Sequence, residues 1–177
     1  MDKILEFSIE YLKRQIKSGA DMLQIFDSWA GLLEPKEYKK YIIKPSIEIS
    51  KEIKKNYPEI PLIFFPRGSK RKITNFLEEV KCEIISMDDI TDDDIKNCKK
   101  KKIIIQGNLS PTILLNGGQI LIKEVKKILD RLKDNSHIFN LSHGILPKTP
   151  IENVEKVIKI VRENNEFAKR TSIHSKS

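Results

Sequence analysis

The sequence predicts an α/β protein built around a parallel β-sheet. Five short apolar runs alternate with stretches of helical periodicity along its 177 residues. The runs are apolar at nearly every position, which is typical of strands covered by helices on both faces and therefore of parallel strands. Two architectures fit this alternation, a doubly wound open sheet and part of a (β/α)8 barrel. Periodicity alone does not choose between them.

The chain opens on a predicted helix and strand. Apolar residues at spacings of 4, 3 and 4 occupy one face of this helix: Leu5, Ile9, Leu12 and Ile16. Gly19 is a natural C-terminal stop for it. Residues 22–26 then form a short apolar run, which we predict to be the first strand.

The alternation continues along the rest of the chain. The other predicted strands are 62–65, 83–87, 103–106 and 137–141. The intervening helices are predicted over 45–55, around 73–77 and from Gly118 onward. Residues 88–97 are predicted to be a polar loop or a weak helix. The lysine run 99–102 leads directly into an apolar strand, and we interpret it as the solvated beginning of that strand.

The last helix carries clear start signals. Thr149 is predicted to cap it, Pro150 suits its first position, and Glu152 completes a capping box. Its core-facing residues are predicted to be Val154, Val157, Ile158 and Val161. We expect the helix to end near Glu163, which gives one domain over 1–165 and a polar tail over 166–177.

Composition narrows the classes of function. Hydrophobic residues make up 39% of the chain and charged residues 33%, a globular balance. No apolar run approaches the roughly 20 residues that span a bilayer, and the N-terminus has no signal-peptide layout. We therefore expect a protein of the cytoplasm or of an organelle matrix, with the cytoplasm preferred, that does not bind membranes. The net charge is +8, but the lysines are spread along the whole chain without interleaved aromatics. No nucleic-acid partner is therefore predicted.

The two cysteines predict no metal site. Cys82 and Cys98 are isolated, without a Cys-x-x-Cys motif or a Cys/His cluster beside them. We therefore expect free thiols that are buried or partly exposed.

Candidate functional residues lie where the predicted strands end, because parallel α/β proteins bind their ligands there. Turn residues that are polar, charged or glycine follow the strands at 27–31, 66–68, 88–89, 107–111 and 142–144. The sequence contains no phosphate-binding glycine motif and no nucleophile elbow. Of the three histidines, only His143 follows a strand directly, which makes it a candidate functional residue.

Three of these strand ends carry recognisable motifs in order. They are 24–31 (Gln-Ile-Phe-Asp-Ser-Trp-Ala-Gly), 106–109 with Pro111 (Gln-Gly-Asn-Leu), and 138–145 (Ile-Phe-Asn-Leu-Ser-His-Gly-Ile) continuing into 149–154. With these motifs the chain resembles the uroporphyrinogen decarboxylase family along nearly its whole length. The family fold is a (β/α)8 barrel, so the resemblance implies α/β structure and the C-terminal five strand–helix units of that barrel.

The resemblance also implies site residues. Ser28 and His143 match family residues that contact the substrate, and Phe26 matches a residue beside that site. Arg67 is a further candidate, as a partner for a substrate carboxylate. The sequence departs from the family pattern at Ser110, where the family has Asp, and at Ser142, where it has Gly. A residue other than Gly at 142 would crowd the pocket if that position required a positive φ.

The implied activity is that of a carboxy-lyase in haem biosynthesis. The family converts the four acetate side chains of uroporphyrinogen III to methyl groups, giving coproporphyrinogen III. It needs no cofactor or metal and forms homodimers. The resemblance begins at Met1, inside what resembles the fourth barrel helix, and the family's catalytic Asp has no match in this chain. We therefore expect no catalytic residue here. We also expect the chain alone to be insoluble, oligomeric or molten, and inactive.

Two other interpretations stay open. In the first, the chain is a non-catalytic remnant, or one half of a split enzyme that depends on a partner chain. A zinc-dependent methyltransferase of the same barrel superfamily is a third reading, which would need a Cys where this chain has His143 and Gly144. Neither Cys82 nor Cys98 follows a predicted strand, which ranks the methyltransferase below the decarboxylase.

Overall fold

The computed structural model describes residues 2–174, with the side chains of Arg71 and of 165–174 excepted. The chain divides into two compact units, Met1–Gln106 and Gly107–Ser177. It forms a five-stranded sheet in the order β1-β2-β3-β4-β5. The pairs β1–β2, β2–β3 and β3–β4 are parallel. The strands are β1 (Leu23–Asp27), β2 (Leu62–Pro66), β3 (Ile84–Ser86), β4 (Ile104–Leu109) and β5 (His137–Leu141).

Helices alternate with these strands, as the sequence predicts. In the first unit they are α1 (Asp2–Lys17), α2 (Pro35–Tyr38), α3 (Lys44–Asn56), α4 (Ile73–Glu79) and α5 (Asp92–Lys101). In the second they are α6 (Pro111–Asn116), α7 (Gly118–Arg131) and α8 (Ile151–His174). Among the described residues, none of the helices combines the length and the apolar character required to cross a lipid bilayer.

The strand order distinguishes between the two architectures left open by periodicity. Strands that are neighbours in sequence are also neighbours in the sheet, whereas a doubly wound sheet reverses its order at a switch point. The first unit is also strongly curled, because Gln106 Nε2 on β4 donates a hydrogen bond to Gln24 Oε1 on β1 at 3.3 Å. Three strand spacings in a flat sheet would separate β1 from β4 by about 14 Å. The fold is therefore part of a (β/α) barrel.

The core of the first unit lies between its strands and helices. The rings of Phe64 on β2 and Phe76 on α4 meet edge to face with their centroids 5.7 Å apart. Both side chains are almost completely buried, as are Ile53 on α3 and Ile85 on β3. This packing fixes the direction of β2, and with it the position at which the strand ends.

The structure corrects the prediction for residues 88–102. Thr91 caps α5 in a capping box in which its hydroxyl accepts from the Asp94 backbone N–H, at 3.2 Å, and Asp94 accepts from the Thr91 N–H, at 2.9 Å. The first three lysines of the run form the last turn of α5 and Lys102 ends it in the left-handed conformation, φ 57°. They do not begin β4; three positive charges stabilise the negative end of the helix dipole instead.

The start of the last helix is also corrected. The helix begins at Ile151, and the Thr149 hydroxyl is buried without a hydrogen-bond partner among the described residues, so the predicted capping box does not form. Val157 is buried, whereas Ile158 is 44% exposed and does not face the core. The helix continues beyond Glu163 to His174, and the rest of the predicted tail, 175–177, lies outside the described residues.

Asn153, which belongs to the last of the three sequence motifs, has a structural role. Its side-chain Nδ2 donates to the carbonyl oxygens of Leu114, at 2.9 Å, and Leu115, at 3.3 Å. These carbonyls belong to the last turn of α6, so Asn153 satisfies acceptors that the helix leaves unpaired. Its side chain also occupies the space that a Cβ at Gly117 would need.

Candidate active site at the strand ends

The ends of β1 and β2 are joined through their backbones. Asp27 lies opposite Pro66 in the parallel register, so the next residues, Ser28 and Arg67, open adjacent loops. The Arg67 N–H donates to the carbonyl oxygen of Asp27 at 3.1 Å. The Arg67 carbonyl in turn accepts from the Gly31 N–H at 2.8 Å. Both backbone groups of Arg67 are therefore engaged by the loop that carries Ser28.

Gly31 and Gly68 bring the loops after β1 and β2 into close backbone contact. A Cβ placed on Gly31 would lie 2.5 Å from the carbonyl oxygen of Gly68 and 2.8 Å from its Cα. Real Cβ atoms do not approach backbone so closely, and glycine is the residue that permits it. The glycine in each of these strand-end motifs is therefore required for the two loops to touch.

The loop after β3 holds the second of these glycines. Asp88, which follows β3, accepts the Gly68 N–H at both carboxylate oxygens, each at 3.1 Å. Hydrogen bonds to an ionised acceptor are stronger than neutral ones. The turns after β1, β2 and β3 are thus connected in series.

Exposed side chains stand on this fixed backbone. Phe26 is 65% exposed and its ring meets Phe65 edge to face, with centroids 6.0 Å apart. Ser28 and Arg67 are exposed, and their side chains make no hydrogen bond or ion pair with any residue that the structure describes. A cationic and a hydroxyl group are therefore available to a ligand beside an aromatic surface. These are three of the four residues that the sequence singled out.

The fourth, His143, belongs to the second unit. It follows β5 and is half-buried. Its neighbour Ser142 is almost fully buried, and the Ser142 N–H donates to the carbonyl oxygen of Leu109 at 2.8 Å. The described non-glycine residues with positive φ are Lys70 and Lys102. Ser142 therefore needs no glycine-like backbone, and its departure from the family pattern causes no crowding of that kind.

Burial shifts the acidity of three groups near the strand ends. Burial raises the pKa of Asp27, although a hydrogen bond from the Trp29 backbone opposes this shift. Burial also raises the pKa of Tyr38 to about 12, against its 2.8 Å hydrogen bond with Ser69. In the second unit burial lowers the pKa of His137, whose Nε2 lies 2.6 Å from the Gly107 carbonyl oxygen. Because a carbonyl oxygen can only accept, Nε2 is the donor in this hydrogen bond.

The cysteines are free, as the sequence predicts, and lie away from the strand ends. Cys98 is on α5 and fully buried, whereas Cys82 precedes β3 and is half-buried. The part of the chain that the structure describes holds no group of three or more His, Cys, Asp or Glu side chains that could bind a metal ion. These positions do not favour the zinc-dependent methyltransferase.

We expect both thiols to react slowly in the folded chain. Burial, with a smaller contribution from nearby carboxylates, raises the pKa of Cys82 and of Cys98 to about 12. Because the thiolate is the reactive form, labelling by a thiol reagent at pH 8 should be about 1000-fold slower than in the urea-unfolded chain. Mass spectrometry of the labelled peptides measures each site. Rapid labelling of Cys98 in the folded chain would contradict the assigned burial.

The curled sheet with sequential strand order and the joined polar turns define the chain as part of a (β/α)8-barrel protein with its candidate site at the carboxyl ends of the strands. The family model described as uroporphyrinogen decarboxylase (URO-D) matches residues 1–164. The chain belongs to the uroporphyrinogen decarboxylase family.

Individual relatives agree with this assignment. The chain is 46% identical over 160 residues to a protein of Rickettsia bellii named uroporphyrinogen decarboxylase, covering 90% of the chain and 47% of the relative. Proteins of the same name from Orientia tsutsugamushi and Novosphingobium aromaticivorans are 43% and 40% identical over 161 and 164 residues. The chain spans about half the length of the curated relatives it matches.

The residues that sequence reasoning missed hold the turns together. Lys72 was not singled out, because one lysine among many carries no sequence signal, yet its ammonium donates to the carbonyl oxygen of Gly31 at 3.0 Å and to that of Leu33. Asp88 was noticed only as a charged residue at a strand end. Its contact with Gly68 depends on the register of β2 and β3, which the sequence does not display.

Proposed function

We propose that this chain forms the substrate-holding part of a uroporphyrinogen decarboxylase. The observation that carries the proposal is the pair Ser28 and Arg67, whose exposed side chains have no polar partner among the described residues. Hydrogen bonds hold the backbone on both sides of Arg67. A cation and a hydroxyl on held backbone, following the strands that carry Phe26 and Phe65, suit a flat macrocycle that carries carboxylates. Membership of the family supplies the choice of tetrapyrrole.

The reaction replaces a carboxyl group by a proton. A pyrrole ring protonated on carbon becomes an electron sink, so the C–C bond to the carboxylate can break and release carbon dioxide. The electron pair enters the ring, a proton then adds to the exocyclic carbon to give the methyl group, and the ring loses its extra proton. The substrate itself stores the electrons, so we propose that no cofactor takes part.

The chain's residues act by holding the substrate during these steps. Arg67 pairs with a substrate carboxylate, and Ser28 and His143 offer hydrogen bonds to others. Phe26 contacts the macrocycle. Positioning of this kind accelerates a reaction by fixing its geometry before the barrier is reached. The carboxylate that stabilises the cationic pyrrole is contributed by a complementary segment, since the family's catalytic Asp matches no residue of this chain.

The proposal extends to the setting of the enzyme. The complementary segment is either joined to this chain or supplied as a separate polypeptide, as in a split enzyme. The complete enzyme works as a homodimer in the cytoplasm, as the resemblance implies. Without the complementary segment, the chain has no turnover.

Reconstitution tests the proposal. This chain is co-expressed with the part of the Rickettsia bellii relative that lies outside the matched segment, and coproporphyrinogen formed from uroporphyrinogen is assayed without oxygen. We expect activity from the pair and none from either part. Replacing Arg67 with Met should lower kcat/KM about 30-fold, because a charge-assisted contact with a carboxylate is lost.

Arg14→Met is the matched control, since Arg14 is an exposed arginine on α1 whose ion-pair partner, Glu10, lies on the same helix. It should leave kcat/KM unchanged. Activity of the chain alone would contradict the need for a complementary segment. Equal activity of the Arg67→Met and unaltered pairs would remove Arg67 from the site.

A further inference from the structure

Lys72 occupies a place that its sequence position does not suggest. It directly precedes α4 and is half-buried. Its ammonium donates to two carbonyl oxygens of that turn, those of Gly31 and Leu33, and lies 5.4 Å from the centre of the Tyr38 ring. Two hydrogen bonds from one ammonium group to neighbouring carbonyls restrict the conformations that this turn can adopt.

The carbonyl held by Lys72 belongs to the residue that binds Arg67. Gly31 receives Lys72 at its carbonyl oxygen and donates its N–H to the Arg67 carbonyl at 2.8 Å. On the other side of Arg67, the Gly68 N–H is held by both oxygens of Asp88 at 3.1 Å. The peptide groups flanking Arg67 are thus fixed by a cation at one end of the series and an anion at the other.

We infer that Lys72 and Asp88 are positioning residues, which act on a carboxylate-bearing ligand only through the placement of Arg67. The identity of the ligand rests on the proposed function. The hydrogen-bonded connection from Lys72 to Asp88 through the backbone around Arg67 does not. Neither side chain needs to touch the ligand. They restrict the backbone conformations of Arg67, and therefore the orientations available to its exposed side chain. This restriction lowers the entropy lost when a ligand binds.

Amide hydrogen exchange tests the connection without any ligand. In the full chain, Lys72→Met should accelerate exchange of the Gly31 and Gly68 amides about 10-fold, because a charge-assisted hydrogen bond that stabilises the closed turn is lost. Lys72→Arg should restore slow exchange, since a guanidinium also donates to two carbonyls. Exchange of the Ile85 amide in the core of β3 should stay unchanged in both variants.

Lys101→Met is the matched control. Lys101 also donates its ammonium to a backbone carbonyl, that of Leu77 at 3.1 Å, but it lies on α5 away from the strand ends. It should leave the Gly31 and Gly68 amides unaffected. Unchanged exchange at these amides in Lys72→Met, or equal acceleration at Ile85, would overturn the inference.

A double-mutant cycle tests the route through Arg67. The probe is uroporphyrin, the oxidised macrocycle with the same carboxylate side chains, and its affinity is followed by fluorescence. Lys72→Met should weaken binding about 10-fold in the unaltered chain and have no further effect in Arg67→Met. Losses that multiply in the double variant would show that Lys72 acts directly or elsewhere. If the unaltered chain binds no uroporphyrin, the proposed function fails there, and the exchange experiment still decides the connection.

Discussion

Gly31→Ala should destabilise the first unit by about 3 kcal/mol, the upper part of the range for overpacking. The added Cβ would lie 2.5 Å from the Gly68 carbonyl oxygen and 2.7 Å from its carbonyl carbon, so backbone must move on one side or the other. Gly31 has no positive φ, and the loss therefore comes from the contact and not from backbone strain. Urea unfolding of the chain measures the change.

Gly31→Ala should change the candidate site as well as the free energy of unfolding. If the turns after β1 and β2 separate, the hydrogen bond from Gly31 to Arg67 breaks, and the Arg67 amide group loses its fixed position. Gly144→Ala is the matched control, because Gly144 is exposed, has no atom within 4 Å of the added Cβ, and has no positive φ. It should change the free energy of unfolding by less than about 0.5 kcal/mol. Equal effects of both substitutions would mean that the turns do not touch.

Phe76→Ala should lower the free energy of unfolding by about 4 kcal/mol. Phe76 is 0% exposed, and its ring packs edge to face on Phe64. Removal of the ring forfeits its transfer free energy, leaves a cavity between α4 and β2, and removes the aromatic pair. Because whole domains are stable by only about 5–15 kcal/mol, the urea midpoint should fall steeply.

The same substitution on the surface provides the comparison. Phe7 lies on α1 and is 74% exposed, so Phe7→Ala creates no cavity and raises the helix propensity of its position. We expect a change within about 0.5 kcal/mol. A loss at Phe7 as large as that at Phe76 would place an unrecognised contact on this face of α1.

The strands were predictable because each is a continuous apolar run between polar segments. β5 was predicted at its observed bounds, His137–Leu141, and β1, β2 and β3 within one or two residues of theirs. Strands of a parallel barrel have this signature because helices cover the outer face of the sheet, while its inner face lines the barrel interior. The order of the strands was not readable in the same way. It depends on pairing, and only the resemblance pointed to a barrel.

The helices that escaped prediction lack regular spacing or apolar residues. Between Pro35 and Ile43 the chain passes from α2 into a π-helix, Lys39–Ile43, which inserts an extra residue into the helical repeat. It buries the consecutive residues Ile42 and Ile43, and the 3.6-residue repeat does not extend through this segment. α5 was predicted only as a weak helix, as an alternative to a polar loop, since it buries Asp94 and Cys98 where an apolar pair would be expected.

The sequence supplied candidates for contact with a ligand, and their role stays a prediction. Ser28, Phe26 and His143 came from the resemblance, and Arg67 from its place after a strand. The roles of Lys72 and Asp88 could not be predicted from the sequence, because they bind backbone groups of residues 41 and 20 positions away. Contacts with backbone leave no pattern of side-chain types, so their partners emerge only when the strands are in register.

The strand order has a consequence for synthesis on the ribosome. In the first unit each strand pairs with the strand made just before it, and these pairings, with the contact between Gln24 and Gln106, are complete once residue 106 has left the exit tunnel. At about 5–20 residues per second, His143 leaves the tunnel about 2–7 seconds later. That interval is long compared with the folding time of a small domain. The turns around Gly31 and Gly68 can therefore be assembled on the nascent chain before His143 has left the ribosome.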